Sequence, residues 1–163
     1  MDVTIRPARA EEHDAVGALT LAAYAADGTI TAEHPYAARL LDADARARDA
    51  VLLVATDALG AVVGTVTYVP PGTPFAEVGG PGEAEVRMLA VAPDARGAGV
   101  GRLLSDECVR RARAAGCDAV ALSSGSWMTA AHRLYERLGF VRTPERDWSP
   151  RAGIDLVAYR LRL

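Results

Sequence analysis

The sequence contains no lysine, no asparagine and no glutamine, so all eighteen of its basic residues are arginine. This composition indicates a coding bias toward G and C, and it suggests no mechanism by itself. Cysteine is also scarce, because Cys108 and Cys117 are the two in the chain, with no C-x-x-C spacing and no histidine close by in the sequence. We therefore expect neither a disulfide framework nor a metal site.

Long apolar runs are absent, since no run approaches the roughly 18 residues that a membrane span needs. The N-terminal segment MDVTIRPAR has no apolar signal core, which predicts a cytoplasmic protein with no membrane partner. The net charge of −3 argues against nucleic acid as a partner, because such proteins gain affinity from clustered positive charge. The 163 residues, half of them hydrophobic, fit one soluble domain over 1–163.

The order of the hydropathy patterns predicts βααβββαβαββ, a mixed α/β fold in which helices flank one sheet. The predicted strands lie at 3–7, 51–56, 61–69, 83–91, 119–123, 140–142 and 154–162. The predicted helices lie at 11–26, 36–49, 100–115 and 129–138. The segment 70–82 is dense in proline and glycine, which excludes a helix or central strand there and indicates a functional or disordered loop.

The segment RGAGVGRLL places three alternating glycines, Gly97, Gly99 and Gly101, at the start of a predicted amphipathic helix. The N-terminus of a helix presents unpaired N–H groups and partial positive charge, so glycines there favour an anion site, with phosphate as the natural occupant. The P-loop pattern is excluded because Arg102 and Leu103 follow the last glycine in place of lysine and a hydroxyl residue. The alternating spacing, past the midpoint of the chain, is not the dinucleotide fingerprint either.

These glycines, together with EVRMLAVAP before them and AAHRLYERLGF after them, resemble the GCN5-related N-acetyltransferase (GNAT) superfamily over most of the chain. The resemblance implies that the fold is the GNAT fold and that acetyl-CoA is the co-substrate, with no metal. It also implies that the strand before the loop carries a bulge and binds the pantetheine arm, while the loop binds the pyrophosphate. The implied cofactor-binding residues are Leu89, Ala90, Val91, Arg96, Gly97, Ala98, Gly99, Val100, Gly101 and Arg102.

Two residues are predicted to carry the chemistry of acetyl transfer to an amine. Glu85 resembles the glutamate that many family members use to take the proton of the amine, and its alternative is a solvated strand face shared with Glu83 and Arg87. Tyr135 resembles the tyrosine that protonates the CoA thiolate, and a phenol of pKa about 10 suits that role. Its alternative is a buried aromatic whose hydroxyl points to water.

One position departs from the family pattern, because Met128 stands where many members have a cofactor-contacting asparagine. Ser123, Ser124 or Ser126 would have to supply that contact. The predicted reaction is direct attack by a small-molecule or peptide amine in a ternary complex. The alternatives are a non-catalytic acyl-CoA sensor or interaction module, a longer acyl-CoA donor and a hydroxyl acceptor.

Two further expectations concern partners. The acidic residues Glu33, Glu77, Glu83 and Glu85 favour a cationic acceptor, unless they are only solvated loop residues. Similar proteins often pair through their C-terminal strands, so the resemblance is compatible with a homodimer, although this sequence does not determine the oligomeric state. The final strand IDLVAYRLRL would otherwise be an exposed edge that Arg160 and Arg162 protect.

Overall fold

A single sheet of eight strands forms the centre of the molecule. The computed structural model describes residues 1–28 and 30–163. The strands are β1 (Thr4–Pro7), β2 (Val51–Thr56), β3 (Val62–Val69), β4 (Glu83–Val91), β5 (Ala119–Gly125), β6 (Val141–Arg142), β7 (Trp148–Arg151) and β8 (Ile154–Arg162). The helices are α1 (His13–Ala26), α2 (Ala37–Leu41), α3 (Ala43–Asp49), α4 (Val100–Ala114) and α5 (Thr129–Arg137).

The two faces of the sheet are covered by different helices, as the alternation along β2 shows. Leu53 and Ala55 pack into the main core with buried residues of α4 and α5. Leu52 and Val54 point the other way and pack with Val16 of α1 and with α3. The mixed α/β fold with flanking helices is therefore confirmed. No helix among the described residues is long and apolar enough to cross a bilayer.

The strand order is β1-β2-β3-β4-β5-β8-β6, with β7 also paired to β8. The pairs are antiparallel except β4 with β5, which run parallel. The expectation of an exposed final strand is wrong, because β8 lies between β5 on one side and β6 and β7 on the other. Arg160 accordingly does not protect an edge; its Nε donates to Glu83 Oε2 at 2.7 Å.

Most predicted elements are confirmed to within a few residues, and two details are wrong. The helix expected at 36–49 is divided at Asp42, which leaves helical geometry and accepts a hydrogen bond from the Ala45 N–H as the N-cap of α3. The segment 146–153, between the predicted strands 140–142 and 154–162 and itself without a predicted strand, contains β7, which forms a hairpin with β8. An edge strand can contain Pro150, so the proline concealed the strand without preventing it.

Candidate active site

At the centre of the sheet, strand β4 has a bulge, in which one extra residue of β4 lies opposite its partner β3. Thr67 pairs with Arg87 and Thr65 pairs with Ala90, so two steps along β3 match three steps along β4. Met88, inside this bulge, has a φ of 53°, which side-chain-bearing residues seldom adopt. The bulge that the family resemblance implied is confirmed.

The neighbouring strands β4 and β5 separate just beyond the bulge. Their parallel pairing runs from Glu83 with Ala119 to Val86 with Leu122, and no pairing between them is described beyond that point. Strand β5 nevertheless continues to Gly125. The segment from 89 to 91 therefore pairs with β3 alone, and its other edge faces the opening between the strands.

The N-terminus of α4 lies at the mouth of this opening. Gly99 is its N-cap, with φ 80° in the left-handed region that glycine adopts without strain. The first intrahelical hydrogen bond is donated by Leu103 to the Gly99 carbonyl, which leaves the N–H groups of Val100, Gly101 and Arg102 without helical partners. A Cβ at Gly101 would lie 3.3 Å from Leu134 Cδ2, so glycine also permits close approach of α4 and α5.

A cavity of about 550 Å³ fills the opening and is called the first cavity. Its volume lies within the 300 to 1,000 Å³ that is typical of ligand and cofactor sites. Nine of the ten predicted cofactor residues line it: Leu89, Ala90, Val91, Arg96, Gly97, Gly99, Val100, Gly101 and Arg102. Ala98, the tenth, is exposed and does not belong to its wall.

Arg96 connects the glycine loop to the end of α1. One of its guanidinium nitrogens donates to the Ala23 carbonyl at 3.0 Å, and the other contacts Asp27 at 3.3 Å. Both of these partners line the first cavity as well. The contact fixes α1 across the mouth of the cavity.

Sequence analysis missed the contribution of α5 to the first cavity. Thr129, Ala130, Leu134 and Arg137 all line it. The spacing of Ala130, Leu134 and Arg137 by four and three residues places them on one helical face, and this was the available signal. Arg137 adds a third arginine to the cavity wall beside Arg96 and Arg102.

A smaller space of about 60 Å³, called the second cavity, adjoins the first. The two share four wall residues: Tyr24, Leu89, Trp127 and Met128. Tyr135 lines the second cavity, so the tyrosine predicted as the acid lies beside the opening. Ser123 and Ser124 line it too, whereas Ser126 lines neither cavity.

Tyr135 is buried, and its ring lies 5.8 Å from that of Phe140 and 6.1 Å from that of Tyr159. Burial raises the pKa of its hydroxyl well above the ordinary tyrosine value. The hydroxyl therefore remains protonated at neutral pH and can donate a hydrogen bond or a proton into the second cavity. The alternative in which the hydroxyl simply points to bulk water does not fit this burial.

Glu85 occupies a different environment from the one predicted for a solvated strand. It is 1% exposed, and its Oε1 accepts hydrogen bonds from the N–H groups of Glu77, Val78 and Gly79 at 2.8 to 3.0 Å. Oε2 is buried without a hydrogen-bond partner among the described residues. The solvated-face alternative is wrong, and Glu85 lines neither cavity.

Glu83, two residues earlier, is buried as well and forms an ion-pair network. Its Oε1 contacts Arg146 Nη1 at 2.6 Å and accepts the Gly80 N–H, while Oε2 contacts Arg160. Burial alone would raise its pKa, but the hydrogen bonds from these groups outweigh burial and lower the pKa to about 2. The predicted loop 70–82 is thus fastened to β4 by two carboxylates.

A bulged, splayed sheet that leads to an exposed helix N-terminus places this fold and site in the acetyltransferase class. The chain belongs to the Acetyltransferase (GNAT) family, whose model matches residues 18–140. It is 37% identical over 144 residues to a mycothiol acetyltransferase of Cellulomonas flavigena, a match that covers 77% of this chain and 40% of that protein. The chain thus spans about two fifths of the length of this relative.

Solved structures agree with this assignment. The ribosomal-protein-alanine N-acetyltransferase of Brucella melitensis superposes with a TM-score of 0.70 at 26% identity, covering 98% of this chain and 99% of that one. An acetyltransferase of Salmonella typhimurium, solved with its cofactor acetyl-CoA, superposes with a TM-score of 0.70 at 25% identity, covering 99% and 94%. The predicted family and fold are therefore confirmed.

Proposed function

We propose that this chain binds acetyl-CoA in the first cavity and transfers the acetyl group to an amine by direct attack, with both substrates bound together. The row of N–H groups at the start of α4, open to a cavity of about 550 Å³, is the observation that carries this proposal. The family, and the related structure that contains acetyl-CoA, support the choice of donor.

The residues present fit such a donor in charge and in shape. The N–H groups of Val100, Gly101 and Arg102 would donate to the pyrophosphate, where the helix dipole favours negative charge. The unpaired edge at 89–91 would hold the pantetheine arm as an added strand would be held. Bound in this way, acetyl-CoA supplies an activated thioester.

The chemistry requires three groups from the chain. A main-chain N–H near Leu89 or Ala90 would donate to the thioester carbonyl and stabilise the charge that develops on its oxygen. Tyr135 would give its proton to the thiolate as it leaves. A carboxylate near the second cavity would take a proton from the amine, which is almost wholly protonated at neutral pH.

The acceptor is proposed here only as an amine. One relative is named for mycothiol and another for the alanine of a ribosomal protein, so relatives with this fold differ in acceptor. The aromatic and aliphatic lining of the second cavity supports an acceptor whose amine end is carried on an apolar stem.

Calorimetric titration with acetyl-CoA tests the donor site, using Gly99→Glu as the disruptive variant. Glutamate there adds negative charge at the anion site and strains a left-handed residue, so we expect micromolar binding in the original protein and binding weakened about tenfold or more in the variant. Gly116→Glu is the matched control, because Gly116 also has a positive φ of 75° and open space around it, at the opposite end of the same helix.

The outcomes separate the candidate functions. Binding followed by thiol release with an amine supports the transferase. Binding with no thiol release for any amine of a broad panel would favour the sensor or interaction module. Absence of binding in the original protein would overturn the proposal.

A further inference from the structure

We propose that Glu77 is the carboxylate that takes the proton of the acceptor amine, and that Glu85 is a positioning residue that fixes the segment carrying Glu77. The inference rests on the proposed acetyl transfer and deepens it. It also assigns the acceptor class: a primary amine on an unbranched, apolar stem.

Glu77 lies where an acceptor amine would meet the donor. Its side chain lines the second cavity together with Tyr135, and Leu89 joins that cavity to the first. The side chain is 22% exposed, and its Oε1 contacts Arg87 Nε at 2.8 Å. The carboxylate is therefore paired with Arg87 through Oε1 and lies at the wall of the second cavity, where an ammonium group could reach it.

Glu85 is positioned to hold the loop and not to receive the proton. Three successive N–H groups, those of Glu77, Val78 and Gly79, converge on its Oε1 and form a backbone nest around one carboxylate oxygen. The first of these groups belongs to Glu77 itself. Glu85 therefore fixes the backbone of Glu77 while its own carboxylate stays away from both cavities.

The second cavity selects the acceptor by its size and by its charges. About 60 Å³ is room for only a few non-hydrogen atoms, so an amine on a slender stem fits this space better than an amine whose neighbouring carbon is branched. Glu77 and Arg87 are the charged residues of its described wall. Arg87 already interacts with Glu77, with the Phe75 carbonyl at 3.1 Å and with the Phe75 ring. The wall therefore favours binding of a positively charged ammonium group over binding of a carboxylate.

The surroundings of Glu77 suit a base. Burial raises the pKa of its carboxyl, Arg87 and Arg39 oppose the rise, and the charge of Glu85 adds to it. Tyr36 also interacts with Glu77, and Tyr24 and Tyr135 are the other tyrosines of the described wall of the second cavity. A raised pKa brings a carboxylate closer to neutral pH and makes it a better proton acceptor. Because the deprotonated form is active, the rate must fall as the pH falls through this raised value.

The protons and bonds balance as follows. The amine nitrogen forms a bond to the acetyl carbon, and the bond from that carbon to sulfur breaks. One proton of the ammonium group passes to Glu77 and then to water, and one stays on the amide nitrogen. The third proton passes to Tyr135, where it replaces the proton that Tyr135 has given to the thiolate.

The test measures the pH profile of kcat/KM by thiol release, using acetyl-CoA and 1-butylamine as the probe. In Glu77→Gln we expect kcat/KM at neutral pH to fall about 100-fold and the acidic limb to move up to the higher pKa of the free amine, which must then lose its proton to water, with acetyl-CoA affinity unchanged. In Glu85→Gln the amide oxygen still accepts the loop N–H groups, so we expect kcat/KM to fall by less than about tenfold. The acidic limb of this variant's pH profile should move to lower pH, because the negative charge of Glu85, which raises the pKa of Glu77, is gone. Glu11→Gln, at an exposed site, is the control.

Each remaining outcome has a definite meaning. An acidic limb that stays at its wild-type pH in Glu77→Gln and moves up to the pKa of the amine in Glu85→Gln would return the role of base to Glu85. Should Glu85→Gln fail to fold by circular dichroism, Glu77→Gln alone decides, and a wild-type profile there overturns the inference. The isomer 2-butylamine, which is branched next to the nitrogen, should react at least about tenfold more slowly than the probe, and equal rates would refute the unbranched class. Acetyl-CoA binding without acetylation of the probe overturns this inference alone, whereas no acetyl-CoA binding overturns the proposed function.

Discussion

At the scale of single residues, the environment of each glutamate near the site depends on its neighbours. Glu83 and Glu85 both belong to β4 and both hold the loop that follows β3, Glu83 through the N–H of Gly80 and Glu85 through three N–H groups. Glu77 belongs to that loop and faces the cavity. The carboxylates of the strand thus hold the loop in place, and the loop carries the carboxylate that lines the second cavity.

Tyr135 gives the clearest prediction for a single residue. In Tyr135→Phe we expect kcat to fall about 10- to 100-fold with little change in the affinity for acetyl-CoA, because the hydroxyl acts on the leaving thiolate and not on the bound donor. Because burial raises the pKa of this hydroxyl, the wild-type rate should show no loss from its ionisation below pH about 10. Thiol-release kinetics and calorimetry measure the two quantities.

Tyr68→Phe is the control for this experiment, since Tyr68 is also a buried tyrosine of the main core and lines neither cavity. Its kcat should match that of the original protein. Equal losses of turnover and of donor affinity in Tyr135→Phe would contradict the acid role.

At the scale of the element, α4 presents its N-terminal amides in fixed positions because its opposite side is packed into the core. Val100, Leu104, Cys108 and Ala112 recur at helical spacing and are buried against the sheet. The Cδ1 of Leu104 lies against Gly64 of β3, where an added Cβ would be only 3.0 Å away. The helix therefore cannot shift without disturbing that packing.

Two neighbouring leucines of α4 test this anchoring. Leu104 is fully buried, so Leu104→Ala should lower the free energy of unfolding by about 2 to 4 kcal/mol through lost burial and the cavity that remains. Leu103 is 42% exposed, so Leu103→Ala should cost less than about 1 kcal/mol. Urea denaturation measures both, and equal costs would show that packing on the sheet does not fix the helix.

At the scale of the whole molecule, the ion pairs of Glu83 connect β4 to two parts that are distant in the sequence, Arg146 and Arg160 of β8. Glu83 also accepts the N–H of Gly80 in the adjoining loop, so three parts of the chain meet at this carboxylate. Removing the charge of Glu83 leaves the charges of its arginine partners uncompensated, so the loss of stability affects all three parts.

Stability should therefore depend on pH in acid. The folded-state pKa of Glu83 is lowered to about 2, so its contribution is present above the ordinary glutamate value of about 4.5 and is lost as the pH falls toward 2. Glu83→Gln should lower the free energy of unfolding by about 2 kcal/mol at neutral pH and make it depend less steeply on pH below 4.5. Denaturant unfolding from pH 2 to 7 measures this.

Glu145→Gln, at an exposed position next to Arg146, should leave the curve unchanged and is the control. Some slope should persist in Glu83→Gln, because hydrogen bonds from Arg6 lower the pKa of Glu12 to about 2 as well. A curve for Glu83→Gln as steep as that of the original protein would refute the linkage.

Much of the fold could be predicted from the sequence because its signals are local. Apolar spacing and the glycine turns predict β2, β4 and α4 almost to the residue. The division at Asp42 was missed because an N-cap inside an amphipathic run looks like part of one continuous helix. The strand at 148–151 was missed because its proline is more typical of a turn than of a strand. The nine predicted cofactor residues that line the first cavity lie in one continuous segment, where pattern and structure coincide.

The sequence by itself determined the family, and it predicted the glycine loop at the start of α4 and the tyrosine of α5 as site residues, because each depends on residues close together in the chain. Only the tertiary structure decided which carboxylate lines the second cavity. Glu77 and Glu85 are eight residues apart, and neither composition nor spacing distinguishes them. The strand bulge, the separation of β4 from β5 and the fold of the loop between them set the burial of each, and burial and hydrogen bonding set the chemistry of a carboxylate.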